Sequence, residues 1–147
     1  MSKKYDGYTL QELKASNFTA AHLKELGYPV KELKEIGYTL QEIKAGRYTA
    51  YELLVARYTI SELKAVGCSA KELKNLGFVA LVLIEEGYTA KELKAGEFKA
   101  TELKDAGFTT DELRDAGYTA FELRYAGYTV SDLKDVGYTD DELKELE

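Results

Sequence analysis

The sequence predicts an all-α solenoid of about fourteen short, two-turn capped helices, one per ten-residue repeat. Three observations predict it. From Gly7 to Leu146 the chain divides into fourteen decads without insertion or deletion, with the consensus G-Y-T-x-x-E-L-K-x-A. Each decad carries a helix-start code followed by a helix-stop code. Between them, apolar residues recur at helical spacing.

The elements of one repeat follow in order. Its first position is Gly in ten of fourteen decads, the residue that most easily takes the left-handed conformation ending a helix. The second is Tyr or Phe in thirteen, with Cys68 the exception, and covers the last turn of the preceding helix. The third is Thr or Ser in eleven and the sixth Glu or Asp in twelve, the spacing of a capping box. In such a box the hydroxyl accepts from the backbone N–H three residues on, and the carboxylate accepts from the cap's own N–H. The aromatic before the cap and the Leu at the seventh position stand where a hydrophobic staple needs them. Lys or Arg at the eighth position complements the dipole of its own helix. The fourth, seventh and tenth positions share a face and are expected to form a continuous core with the aromatic. The fifth, eighth and ninth are expected to face solvent. Isolated helices shorter than ~12–15 residues are marginal in water, so each unit depends on its neighbours.

The domain organisation follows from the repeat. Residues 7–146 form a single repeat domain, and residues 1–6 read as the remnant of a preceding unit. Residues 137–147 read as a polar C-terminal capping unit, because Asp140 replaces the apolar fourth position and Asp141 and Glu142 follow it. In two units the glycine moves one place earlier, to Gly46 and Gly96, leaving Arg47 and Glu97 at the usual glycine position. The helix is expected to end a residue early there. Corners this short fit antiparallel hairpins or roughly square turns, and both stay open.

Composition narrows the function classes. A net charge of −6 and a pI near 5.0 argue against nucleic acid as a partner. One cysteine and one histidine leave no intramolecular disulfide, cysteine-based zinc site or two-histidine metal motif. No cofactor or metal site is expected. The opening MSKKYDGY lacks an apolar segment, and the run from Phe78 to Ile84 is too short to span a bilayer, so no membrane role and a cytoplasmic, reducing location are expected. Cys68 reads as a small core filler, or as a cross-chain disulfide in an oxidising setting. His22 replaces a box Glu and reads as an altered cap.

The repeat resembles the decapeptide G-Y-[ST]-x-x-E-L-K-x-A arrays of large microbial and viral proteins, over nearly the whole chain. That resemblance implies an architecture and carries over no catalytic residue. No nucleophile, base and orienting residue stand out from the repeat, so an enzyme is not expected and no catalytic residue is assigned.

Polar columns turn apolar in three units. In residues 47–56 the fifth, eighth and ninth positions become Tyr51, Leu54 and Val55. In residues 77–86 the cap becomes Val79, the box Glu becomes Val82, and the outer positions become Leu81 and Ile84. In residues 117–126 they become Phe121 and Tyr125. Arg47 and Arg57 replace glycines nearby. Exposed apolar clusters mark contact surfaces, and Tyr and Arg are common anchors. Burial within the chain competes with contact to a partner, and Phe78 to Ile84 also reads as a fully buried helix. The expected function is a non-catalytic repeat scaffold for protein–protein interaction. Structural self-association as a dimer or filament is the alternative, and an acidic decoy for a nucleic-acid-binding protein a weaker one. The expected partner is a protein or a second copy of the chain.

Overall fold

A computed structural model describes Tyr5 and residues 7–144; the remaining positions of residues 1–6, and the end of the expected capping unit at 145–147, lie outside the described residues. Among the described residues there are fourteen helices, one every ten residues, and no strand. The chain divides into two compact units, Met1–Gly67 and Cys68–Glu147. The first holds α1 (Leu10–Ala15), α2 (Ala20–Glu25), α3 (Val30–Glu35), α4 (Leu40–Ala45), α5 (Ala50–Val55) and α6 (Ile60–Ala65). The second holds α7 (Ala70–Asn75), α8 (Ala80–Glu85), α9 (Ala90–Ala95), α10 (Ala100–Asp105), α11 (Thr110–Asp115), α12 (Ala120–Tyr125), α13 (Val130–Asp135) and α14 (Asp140–Lys144).

The helices start and stop where the local code says. At α4, Glu42 N–H donates to Thr39 Oγ1 at 3.2 Å, and Thr39 N–H donates to Glu42 Oε2 at 2.7 Å. His22 completes its box through Nδ1, which accepts from Thr19 N–H at 3.2 Å, longer than the carboxylate bonds. Pro29 and Val79 give their helices no side-chain cap. At the other end, Gly27 N–H donates to Lys24 O at 2.8 Å and Tyr28 N–H to Leu23 O at 3.0 Å, the paired bonds of a Schellman motif. Ten glycines, Gly27 among them, have positive φ. Asn17, Arg47, Arg57 and Glu97 take the same left-handed conformation without being glycine, with φ between 60° and 66°.

Within each unit, packing joins a helix to the one two places along. In the first unit α2 meets α4; in the second α7 meets α9, α8 meets α10, α9 meets α11 and α10 meets α12. The leucine column and Ile43 are buried, together with most of the second-position aromatics, Tyr48, Phe98 and Tyr118 among them. Cys68 is buried too, as a core filler would be. At the fourth position the alanines are buried, as at Ala20, Ala50, Ala70 and Ala90, because a small side chain lets another helix come close. The larger Leu10, Leu40 and Ile60 in the same column are only half-buried. Buried tyrosine hydroxyls tie successive layers together: Tyr48 donates to Tyr28 O at 2.7 Å and Tyr118 to Phe98 O at 2.6 Å, each across 20 residues.

The displaced glycines have a packing reason, and the expectation of a shortened helix is corrected. α4 and α9 have the same six residues as their neighbours, and Gly46 and Gly96 are ordinary C-caps with negative φ. A Cβ on Gly46 would stand 2.7 Å from Ala20 Cβ, and one on Gly96 would stand 2.8 Å from Ala70 Cβ. Glycine sits there because the C-terminus of one helix touches the N-terminus of the helix two places back. The left-handed position then falls to Arg47 and Glu97.

Candidate functional site

The eighth-position lysine was expected simply to face solvent, and the structure corrects this: its ammonium is engaged by the protein. The side chain crosses to the corner that follows the helix two places along. Lys24 Nζ donates to Arg47 O, lies 3.0 Å from Glu52 Oε2, and stands 4.8 Å from the centre of the Tyr48 ring. Lys74 repeats this with Glu97 O at 2.6 Å, Glu102 Oε2 at 3.2 Å and the Phe98 ring at 4.3 Å. Lys94 does so with Gly117 O, Glu122 Oε2 at 3.0 Å and the Tyr118 ring at 4.3 Å. One ammonium thus caps a helix C-terminus, pairs with the next capping-box carboxylate and covers the ring between them.

That geometry explains where the apolar substitutions fall. Leu54 and Ile84, both at the lysine position, are half-buried: neither fully exposed nor fully buried. Tyr51, Val55, Leu81, Phe121 and Tyr125, at the fifth and ninth positions, are exposed by 62, 63, 52, 66 and 77%. Val79 is also 59% exposed, so Phe78 to Ile84 is not a fully buried helix. Arg47 and Arg57 are exposed. Within the first unit, Tyr51 and Val55 join Pro29, Val30 and Ala56 in a cleft of about 130 Å³ between α3 and α5. In the second unit Phe121 borders an open cleft with Arg114, Tyr118 and Tyr138.

The carboxylates are engaged in structure. The backbone N–H and then the hydroxyl of Thr39, Thr59 and Thr109 hold Glu42, Glu62 and Glu112 below the ordinary carboxylate range. At Glu52 burial pushes the other way, and the Thr49 N–H and Lys24 outweigh it. Carboxylates held ionised in this way accept hydrogen bonds and are poorly placed to deliver protons at neutral pH. Among the described residues, no group of three or more His, Cys, Asp or Glu is placed to hold a metal ion, and no helix is long and apolar enough to cross a membrane.

Sequence reasoning missed the lysine clamp. Its signal was present: twelve of fourteen eighth positions are Lys or Arg, more uniform than a solvent-facing column requires. Ordinary surface positions, such as the fifth, vary freely.

Comparison with known proteins agrees with the repeat. The sequence model of a family described as a decapeptide repeat region matches residues 3–66 and 77–147, passing over the decad at 67–76 that carries Cys68. Comparison with the curated proteins and with the solved structures returned no match.

Proposed function

We propose that this chain, which belongs to the decapeptide repeat region family, is a non-catalytic scaffold that binds protein partners through the apolar residues on its outer helix faces. The observation that carries the reading is the exposure of Tyr51, Val55, Leu81, Phe121 and Tyr125 at positions that are mostly small or polar elsewhere in the array. Large aromatic side chains left in water cost free energy that a partner surface recovers. Tyr51, Val55, Phe121 and Tyr125 sit on helices held at both ends by caps, which presents them with little loss of conformational freedom on binding. The carboxylates favour this reading over an acidic decoy, because so many already accept from threonine caps and lysines.

The test replaces Val55 or Tyr125, one at a time, by a photo-crosslinking residue activated in cells. A scaffold gives discrete adducts with other proteins at both positions, and adding Tyr51→Ser to the first or Phe121→Ser to the second abolishes them. Adducts only of twice the chain mass would instead establish self-association, and no adduct at either position would sink both readings. Light-scattering mass across a hundredfold concentration range separates the first two independently.

A further inference from the structure

We propose that the corner at Phe108 receives a lysine side chain presented by a partner protein; the inference rests on the scaffold reading and names the chemistry of one of its contacts. Within each unit, corners take an ammonium from 24 residues earlier, such as Lys14 over Tyr38, Lys34 over Tyr58 and Lys104 over Tyr128. A phenylalanine ring serves as well as a tyrosine, since Lys74 covers Phe98 at 4.3 Å. The residue at that spacing before Phe108 is Ile84, which has no charge to offer. The acceptors of the corner are nevertheless retained. Gly107 supplies the left-handed carbonyl position, and Glu112 completes the capping box with Thr109 at 2.8 Å.

Two observations converge on this corner. A cleft of about 470 Å³ opens there, lined by Ile84, Tyr88, Phe108, Glu112 and Asp115, with Lys91 on its wall. Glu42, Glu62, Asp132 and Glu142 each feel a cation 28 residues earlier, Lys14, Lys34, Lys104 and Arg114 in turn. Glu112 is held low by its Thr109 bonds alone, with no cation contributing. The corner therefore keeps the ring, the carbonyl and the carboxylate that hold an ammonium elsewhere in the array. Leu81, exposed three residues before Ile84 on α8, gives a partner an apolar foothold beside it. A primary ammonium is the usual occupant of such corners: the lysines stand with Nζ 3.9–4.8 Å from their rings, and Arg114, with its guanidinium carbon 5.6 Å from Tyr138, is the departure from that pattern.

The experiment titrates the isotope-labelled chain with Nα-acetyl-lysine N-methylamide and follows backbone amide shifts. The expected shifts concentrate at Gly107, Phe108 and Glu112, and the uncharged norleucine analogue does not produce them. Ile84→Lys supplies the ammonium from within, abolishes the response and raises the unfolding midpoint. Glu112→Gln keeps an acceptor for the cap and weakens binding about tenfold, as loss of a charge-assisted bond does. Shifts spread evenly over the other carboxylates, or unchanged in Ile84→Lys, would overturn the proposal. If the crosslinks at positions 55 and 125 persist while this corner ignores lysine, the scaffold reading stands and only the lysine contact is lost.

Discussion

Lys24 and Glu52, 28 residues apart in the chain, meet at 3.0 Å, and the same ammonium stands over the ring of Tyr48. Three interactions converge on one nitrogen: the ion pair, the Arg47 carbonyl and the ring. Lys24→Ala is expected to cost about 1–2 kcal/mol, since the carbonyl bond and the cation–π contact are lost with the pair. In a double-mutant cycle with Glu52→Gln, the pair itself should account for only about 0.5 kcal/mol, as both groups are partly exposed. Urea unfolding of the four proteins measures both numbers. A single-mutant cost no larger than the coupling would mean that the carbonyl and ring contacts contribute nothing.

Gly46 and Arg47 are expected to respond in opposite directions. Gly46→Ala places a methyl 2.7 Å from Ala20 Cβ and 2.8 Å from the Ala20 carbonyl carbon, and should destabilise by about 1–3 kcal/mol. Arg47→Gly relieves a non-glycine residue at φ 63° and should stabilise by up to about 1 kcal/mol. Thermal unfolding decides it. Equal effects of the two substitutions would refute the close-approach explanation for the displaced glycine.

The buried hydroxyl of Tyr118 donates to Phe98 O at 2.6 Å. Tyr118→Phe keeps the ring and removes the donor, and should cost about 1–2 kcal/mol because a buried carbonyl loses its partner. Tyr8→Phe, at a residue 61% exposed, is the control and should change the midpoint little.

Stability should fall at both ends of the pH scale. Glu12, Glu42, Glu62, Glu112 and Glu142 are held below their ordinary value of 4.5 by threonine backbone N–H groups and hydroxyls. A depressed folded-state pKa gives stability that is present above the unfolded value and lost as pH falls through the folded one, so the acid limb begins below pH 4.5. Burial raises Tyr48 and Tyr88 from 10.0 to about 12. Their contribution is intact below pH 10.0 and is lost as pH climbs towards 12. Helical circular dichroism against pH, with tyrosinate absorbance on the alkaline side, should show both limbs. Tyrosinate from Tyr48 or Tyr88, isolated by difference spectra against Tyr48→Phe and Tyr88→Phe, forming at pH 10.0 with no loss of helix would contradict the alkaline one.

The candidate site was legible in part. Tyr51, Val55, Leu81, Phe121 and Tyr125 stood out as apolar residues in polar columns, and all five are exposed. Leu54 and Ile84 stood out equally and are half-buried; within the second unit, the column of Ile84 is the one that crosses to another corner. Helical periodicity gives the angle of a residue about its own axis. It does not say whether another element covers that angle.

The sequence by itself determined the helices of the array: among the described residues each starts where its decad places it, and α1 to α13 stop within a residue of the expected place. These are contacts among residues three to five apart, where covalent geometry leaves few alternatives. Only the tertiary structure decided that Tyr48 answers to Tyr28, that Lys24 answers to Arg47 and Glu52, and that Gly46 lies against Ala20. Those pairings, 20 or more residues apart in the chain, depend on how far each corner turns it, and small angular differences at a corner accumulate over two or three helices. No local propensity fixes them; the packing of buried side chains between helices two places apart does.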